Sequence, residues 1–307
     1  MLFTHDAGLN HDTGPMHPER PDRLRAVLKA LAAKEFSSIE RREAPEATVE
    51  QIARIHPESY VEAILDAIPS SGTRGLDGDT IVSPGSGEAA LRASGAACAA
   101  VDAVIAGDAG NAFCATRPPG HHAEPTTAMG FCLFNNVAVA ARHAQAVHGL
   151  ERVAVMDFDV HHGNGTQAAF WDDPSLLYTS THQMPLYPGT GAIGETGIAN
   201  NIVNAPLAPQ SDGVAFKEAM TGRILPALDS FAPDLLIISA GFDAHYRDPL
   251  ASLNFDEDDF YWATRELMAL ADRVCGGRVV SCLEGGYDLQ GLATSAAAHV
   301  RALLEPC

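Results

Sequence analysis

The sequence predicts an α/β fold, one three-layer α/β/α domain over residues 1–307 with a central, mainly parallel sheet. Three observations predict it. Helical and strand patterns alternate along the chain. The strand-length runs are mostly apolar on both faces, as strands buried between two helix layers are. Four of the five runs lead into Gly-rich loops that carry His, Asp or Tyr. Ligand sites of open α/β sheets lie at that edge, beyond the carboxyl ends of the strands.

Each element has a local reason. Pro18 and Pro21 open a segment in which Leu24, Val27, Leu28 and Leu31 recur at i, i+3, i+4 and i+7, one face of a helix. Thr48 followed by Gln51 reads as a capping box. Residues 86–105 form an Ala-rich helix stopped at Gly107, and residues 137–147 form another stopped near Gly149. Asp256 caps a helix that runs to about residue 274. The strands are residues 112–116, 153–158, 176–180, 235–240 and 279–283. No repeat or long Pro/Gly/Ser linker divides the chain.

Lys+Arg is 20 and Asp+Glu is 39, so the formal net charge is −19. A chain this acidic is not expected to neutralise phosphates, which excludes direct nucleic-acid binding. An anionic membrane surface is excluded for the same reason. A cationic substrate or partner remains open, since a negative field concentrates it. Asp6, Asp12, Asp77 and Asp79 are the acidic residues expected near the site rim. No apolar run approaches the ~20 residues of a membrane span. The N-terminus lacks a basic segment followed by an apolar run, so a cytoplasmic location is expected. Cys98, Cys114, Cys132, Cys275, Cys282 and Cys307 form no CxxC pair, which fits a reduced interior.

The loop residues carry chemistry. In extended chain Asp159 and His161 point to one side and can present an oxygen and a nitrogen to one point. Asp243, after another strand, can add a second oxygen. One His and two carboxylates leave an open position on four-coordinate zinc, as catalysis requires. The same donors admit Fe(II), Co(II) or Mn(II). His121 and His122 follow a rigid Pro-Pro-Gly turn and suit proton transfer near neutrality. Asp157 is a candidate to fix a histidine tautomer from behind. The Tyr287 phenol suits hydrogen bonding to a carbonyl oxygen that gains negative charge.

Together these segments resemble the histone deacetylase superfamily, which shares its fold with arginase. The matching pieces are HPERP at 17–21, RPPGHHA at 117–123, GFCLFNN at 130–136, DFDVHHGNGT at 157–166, YPGTG at 187–191, SAGFDAH at 239–245 and EGGYDL at 284–289. They stand in the family's order. The resemblance implies an eight-stranded parallel sheet and a zinc-dependent deacetylase of acyl-lysine or related amides, with one zinc per chain. It implies zinc ligands Asp159, His161 and Asp243. It implies a catalytic set of His121, His122, Tyr287, Asp157 and Asn164, with His122 as general base and acid. A substrate tunnel of Gly130, Phe131, Tyr187, Leu250 and Gly285 follows from the same match. So does a structural potassium ion near Asp157, Asp159, His161, Ser180 and Thr181. Asn164 and Glu284 are the pattern of the class II enzymes, here of bacterial type, and the retained Tyr287 implies full activity. Leu250, where polyamine-specialised relatives carry Glu, favours an acetylated lysine in protein or peptide. Acetylpolyamines or other small acylamines are the alternative. Arginase-type hydrolysis would need a binuclear site, against which a single DxH speaks. An acetyl-lysine-binding pseudoenzyme is disfavoured because every matched position is kept. A homo-oligomer, dimer or tetramer, is expected by the same resemblance.

Overall fold

A computed structural model describes residues 1–306, so Cys307 lies outside the described residues. Ten strands are present among the described residues. They are β1 (Leu2–Thr4), β2 (Arg41–Glu43), β3 (Arg74–Gly75), β4 (Ile81–Val82), β5 (Asn111–Cys114), β6 (Val153–Asp157), β7 (Leu176–Gln183), β8 (Ile202–Leu207), β9 (Leu235–Ala240) and β10 (Val279–Leu283). Eight of them form one sheet in the order β2-β1-β5-β10-β9-β6-β7-β8. Every pairing in it is parallel. β3 and β4 make a separate antiparallel ribbon.

The central strands alternate between two cores, which is why their sequences are apolar throughout. In β6, Ala154 and Met156 face one core while Val153 and Val155 face the other. In β9, Leu236 and Ile238 oppose Leu235 and Ile237 in the same way. Helices Ser86–Ala106 and Asn136–His148 supply one layer. Helices Pro21–Ala30, Glu257–Cys275 and Leu289–Leu304 help supply the other.

The expected helices lie within one or two residues of their positions, with Gly107, Gly149 and Gly276 in the left-handed conformation at the stops. The Thr48–Gln51 capping box is present, but its helix is only Val49–Ile52. Helix Ser86–Ala106 corrects the expectation that no segment has the makings of a membrane span. Its hydropathy averages 1.5 over 18 residues, long and apolar enough by composition. Two thirds of that window is buried inside the fold, where Ala89, Ala93, Ala97 and Ala100 let it pack closely.

The register places the chemistry. β5, β10, β9 and β6 are four consecutive neighbours in the sheet. The loops leaving their carboxyl ends carry His121 and His122, Tyr287, Asp243, and the 157–161 segment respectively. Parallel strands put all four loops on one edge, so residues up to 166 positions apart in sequence meet there.

Candidate active site

Two carboxylates and one imidazole converge at the β6 and β9 ends. Nδ1 of His161 lies 3.1 Å from Asp159 Oδ1 and 3.1 Å from Asp243 Oδ2. All three residues are buried. The remaining oxygens are held by backbone donors: Gly285 N–H donates to Asp159 Oδ2 (2.8 Å) and Val160 N–H to Asp243 Oδ1 (2.8 Å). Burial opposes charge on His161, but the two carboxylates outweigh it and raise its pKa to about 10. A proton on Nδ1 thus bridges two acids that would otherwise repel each other. One divalent cation in that position satisfies all three donors, and their ligand atoms lie within 4.8 Å of one another. A Cβ on Gly285 would overlap Asp243 Oδ2 and crowd Asp159 Oδ2, so only glycine fits behind the cradle.

A second His/Asp group is weaker on chemical grounds. Asp102 Oδ1 lies 2.7 Å from Nε2 of both His143 and His148. Arg54 Nη1 donates to His143 Nδ1 at 2.8 Å. An arginine has only protons to offer, so His143 carries its own proton on Nε2 and gives it to Asp102. Those bonds are complete without a metal, and the neighbouring guanidinium opposes one.

The two histidines of the β5 loop lie against each other, with ring centroids 4.0 Å apart and the rings tilted by 44°. His121 Nδ1 lies 2.9 Å from Asp157 Oδ2. Burial works against charging His121, yet Asp159 and Asp157 raise its pKa to about 10. His122 goes the other way: burial and the adjacent His121 and His161 hold it well below the usual histidine value. Its Nδ1 lies 2.9 Å from Asn164 Oδ1, while Asn164 Nδ2 donates to Glu124 Oε1 at 2.9 Å. Glu124 therefore fixes which way the amide points. Nδ1 carries the proton, and Nε2 of His122 keeps a lone pair.

The loop carrying both rings is pinned from β10. Glu284 Oε2 accepts from Gly120 N (2.6 Å) and His121 N (3.1 Å). Tyr178, on β7, donates to Asp157 Oδ2 at 3.1 Å. Arg23 is fully buried, donates to the carbonyls of Gly286 (2.6 Å) and Glu284 (2.5 Å), and sits 4.8 Å from the Tyr287 ring centroid.

A cavity of about 240 Å³ opens on this constellation. It is lined by Asp79, His122, Gly130, Phe131, His161, Tyr187, Leu250 and Tyr287. Phe131 packs edge-on to Tyr287 at 5.7 Å, and Tyr187 packs edge-on to His122 at 5.1 Å. Gly130 has φ +57°, and a Cβ there would stand 2.5 Å from the His122 ring. Phe131, Tyr187 and Tyr287 give the cavity an aromatic lining.

The structure brings together Asp159, His161, Asp243, His121, His122, Asp157, Asn164 and Tyr287, the set that the family resemblance implies. Gly130, Phe131, Tyr187 and Leu250 line the cavity. Gly285 does not: it is buried behind the carboxylates, because its N–H and missing Cβ are needed there. Ser180 Oγ lies 2.9 Å from His182 Nδ1, and Thr181 Oγ1 is buried with no protein partner. Of the acidic residues expected at the rim, Asp79 lines the cavity. Glu124, Tyr178, Asp248 and the Arg23 contacts were not assigned roles from the sequence, since each acts across more than 20 residues.

The histone deacetylase domain model matches residues 17–303. The chain is 41% identical to histone deacetylase 14, chloroplastic, of Arabidopsis thaliana, over 99% of this chain and 76% of that protein. It is 43% identical to a histone deacetylase-like amidohydrolase of Pseudomonas aeruginosa, over 88% of this chain and 72% of that one. The fold superposes on the crystal structure of the HDA15 HD domain with a TM-score of 0.93 at 36% identity, covering 99% of this chain and 87% of that chain.

Proposed function

The chain belongs to the histone deacetylase family, and from that premise we propose that it is a zinc-dependent amidohydrolase that removes acetyl groups from the ε-amine of acyl-lysine. Deacetylase-type amide hydrolysis follows from the family. The observation that carries the finer reading is one cavity lined by His122, His161 and Tyr287, with Phe131 and Tyr187 as its aromatic walls.

Asp159, His161 and Asp243 are the residues that would hold one zinc ion. When bound, zinc supplies Lewis acidity toward water and toward the acyl carbonyl. The chain's own residues do the rest. Phe131 and Tyr187 clasp the aliphatic stem and keep bulk water from the amide. Nε2 of His122 takes a proton from the attacking water, because Asn164 occupies Nδ1. Tyr287 Oη donates to the acyl oxygen as charge builds on it. His121, held by Asp157, keeps positive charge beside His122 and favours return of the proton to the departing amine. The products are acetate and free lysine, and no cysteine takes part.

A structural potassium ion fits the loop of Asp157, Asp159, His161, Ser180 and Thr181. His182 Nε2 donates to Gly191 O (3.0 Å), so its Nδ1 accepts from Ser180, whose lone pairs stay free for a cation. Thr181 Oγ1 has no competing partner. A cytoplasmic, homo-oligomeric protein completes the reading.

Asp79 favours keeping the acylamine alternative, because it sets a carboxylate in the cavity wall where a distal ammonium would pass. Comparing kcat/KM on an acetyl-lysine peptide with kcat/KM on acetylputrescine tests the choice. A higher value for the peptide supports the lysine reading, and the reverse order replaces it.

A further inference from the structure

The tunnel has two walls supplied by different strands. Leu250 lies on the loop after β9, and Tyr287 on the loop after β10. The Asp248 side chain bonds to the backbone of both. Asp248 is 8% exposed, and both its oxygens accept backbone hydrogen bonds. Oδ1 takes Leu250 N–H at 3.0 Å. Oδ2 takes Tyr287 N–H at 2.7 Å and Asp288 N–H at 3.3 Å. The Leu250 bond is local, two residues along the chain. The Tyr287 bond spans 39 residues and ties one loop to the other.

The backbone of Tyr287 needs such an anchor. Gly286 before it has φ +120°, a conformation open to glycine alone, so the chain at this point is steered by its neighbours. Arg23 holds the preceding carbonyls, but only Asp248 holds the N–H of Tyr287 itself among the described residues. The phenol sits at the end of a long side chain, so a small turn of this backbone moves Oη by much more.

We propose that Asp248 is a positioning residue: through Tyr287 N–H it sets the place of the Tyr287 hydroxyl, and through Leu250 N–H it locks the opposite wall to the same frame. The inference rests on the deacetylase reading only for the role of the hydroxyl. The clamp itself is a statement about two backbone amides and is testable without turnover.

Asp248→Asn keeps size and shape but leaves one accepting oxygen for two walls. Asp248→Ser keeps an oxygen that reaches Leu250 N–H and drops the long-range bond. Amide hydrogen exchange on the purified enzyme reads the clamp directly. Tyr287 and Asp288 N–H are expected to exchange slowly in the wild type and at least tenfold faster in Asp248→Ser, with Leu250 N–H little changed. Fast exchange of Tyr287 N–H in the wild type would overturn the clamp, with or without a foldable variant.

Kinetics then read its use. Asp248→Asn and Asp248→Ser are expected to lower kcat by about 10²-fold with KM within threefold, the cost of misplacing a catalytic group by about 1 Å. In the double variants with Tyr287→Phe, the Asp248 change is expected to add less than threefold to the Tyr287→Phe loss, because the hydroxyl it positions is gone. Multiplicative losses would mean that Asp248 acts elsewhere, and would sink its positioning role. Wild-type enzyme with a protected Tyr287 amide and no turnover on any acylamine would instead refute the deacetylase reading and leave the clamp standing.

Discussion

His122 Nδ1 lies 2.9 Å from the carbonyl oxygen of the Asn164 amide, and that contact decides which nitrogen of the ring is free to work as a base. The amide cannot turn over, because its NH2 is committed to Glu124 Oε1 at 2.9 Å. An uncharged partner keeps His122 far less basic than a carboxylate would.

Asn164→Asp is therefore expected to raise the pKa of His122 and to move the acid limb of kcat/KM to higher pH. The new carboxylate would face Glu124, so the single variant should also lose stability. Adding Glu124→Gln removes that repulsion and is expected to recover stability while keeping the displaced limb. A pH–rate series on the wild type and these two variants checks this, and an unmoved acid limb would remove His122 from the role of base.

Tyr287→Phe removes the hydroxyl proposed to donate to the developing oxyanion. Loss of such a donor costs about 10²–10³-fold in kcat. Steady-state kinetics on an acetyl-lysine peptide should show that drop with little change in KM. Turnover near the wild-type rate would show that the phenol does not touch the reacting oxygen.

Gly285→Ala tests the carboxylate cradle. The added Cβ would overlap Asp243 Oδ2 and press on Asp159 Oδ2. The fold has room for the methyl only if those side chains move, so zinc content is expected to fall well below one per chain. Elemental analysis of the purified variant reads this, and full zinc occupancy would place the metal elsewhere.

Acid should weaken the fold through histidines outside the site. His299 is fully buried, and burial pushes its pKa down to about 3. Thr264 Oγ1 spends its proton on Phe260 O, so it accepts from His299 Nδ1, and Nε2 of the ring accepts from Ser281. His56 is alike: burial lowers it to about 4, and its Nε2 must stay unprotonated to accept from Asn135 N–H at 2.9 Å. Both bind a proton in the unfolded chain below about pH 6.5 but not in the folded one. Stability from each is thus complete above pH 6.5 and is lost as pH falls toward the folded value, by about 1.4 kcal/mol per pH unit. Denaturant unfolding at pH 7 and pH 5 should show a steep loss, made shallower by His299→Gln. A slope unchanged in that variant would contradict a neutral buried His299.

Much of the site was legible because its residues lie in short motifs at strand ends. DFDVHH gives the His–Asp spacing, and the Gly-rich loops mark the sheet edge. β9 and β10 begin and end where their apolar runs do, and the one serine in each, Ser239 and Ser281, is buried within the strand. Other strands were hidden by their composition. β1 has three residues, β2 is Arg-Arg-Glu on an exposed sheet edge, and β8 contains Asn204 and Pro206. β7 runs on to Gln183 because Thr181, His182 and Gln183, though polar, are buried and pair in register with β8. The supports of the site were hidden for a related reason. The Glu124–Asn164, Tyr178–Asp157 and Asp248–Tyr287 contacts depend on how loops cross, and sequence spacing carries no signal for that.

The proposed zinc-dependent hydrolysis of acyl-lysine is tested by stripping the metal and titrating zinc back. The enzyme is freed of metal with a chelator, and hydrolysis of an acetyl-lysine peptide is followed as zinc is returned. Activity is expected to vanish on stripping and to rise linearly to a plateau at one zinc per chain. Hydrolysis that persists in the stripped protein, or a zinc-loaded protein that leaves the peptide intact, would contradict it.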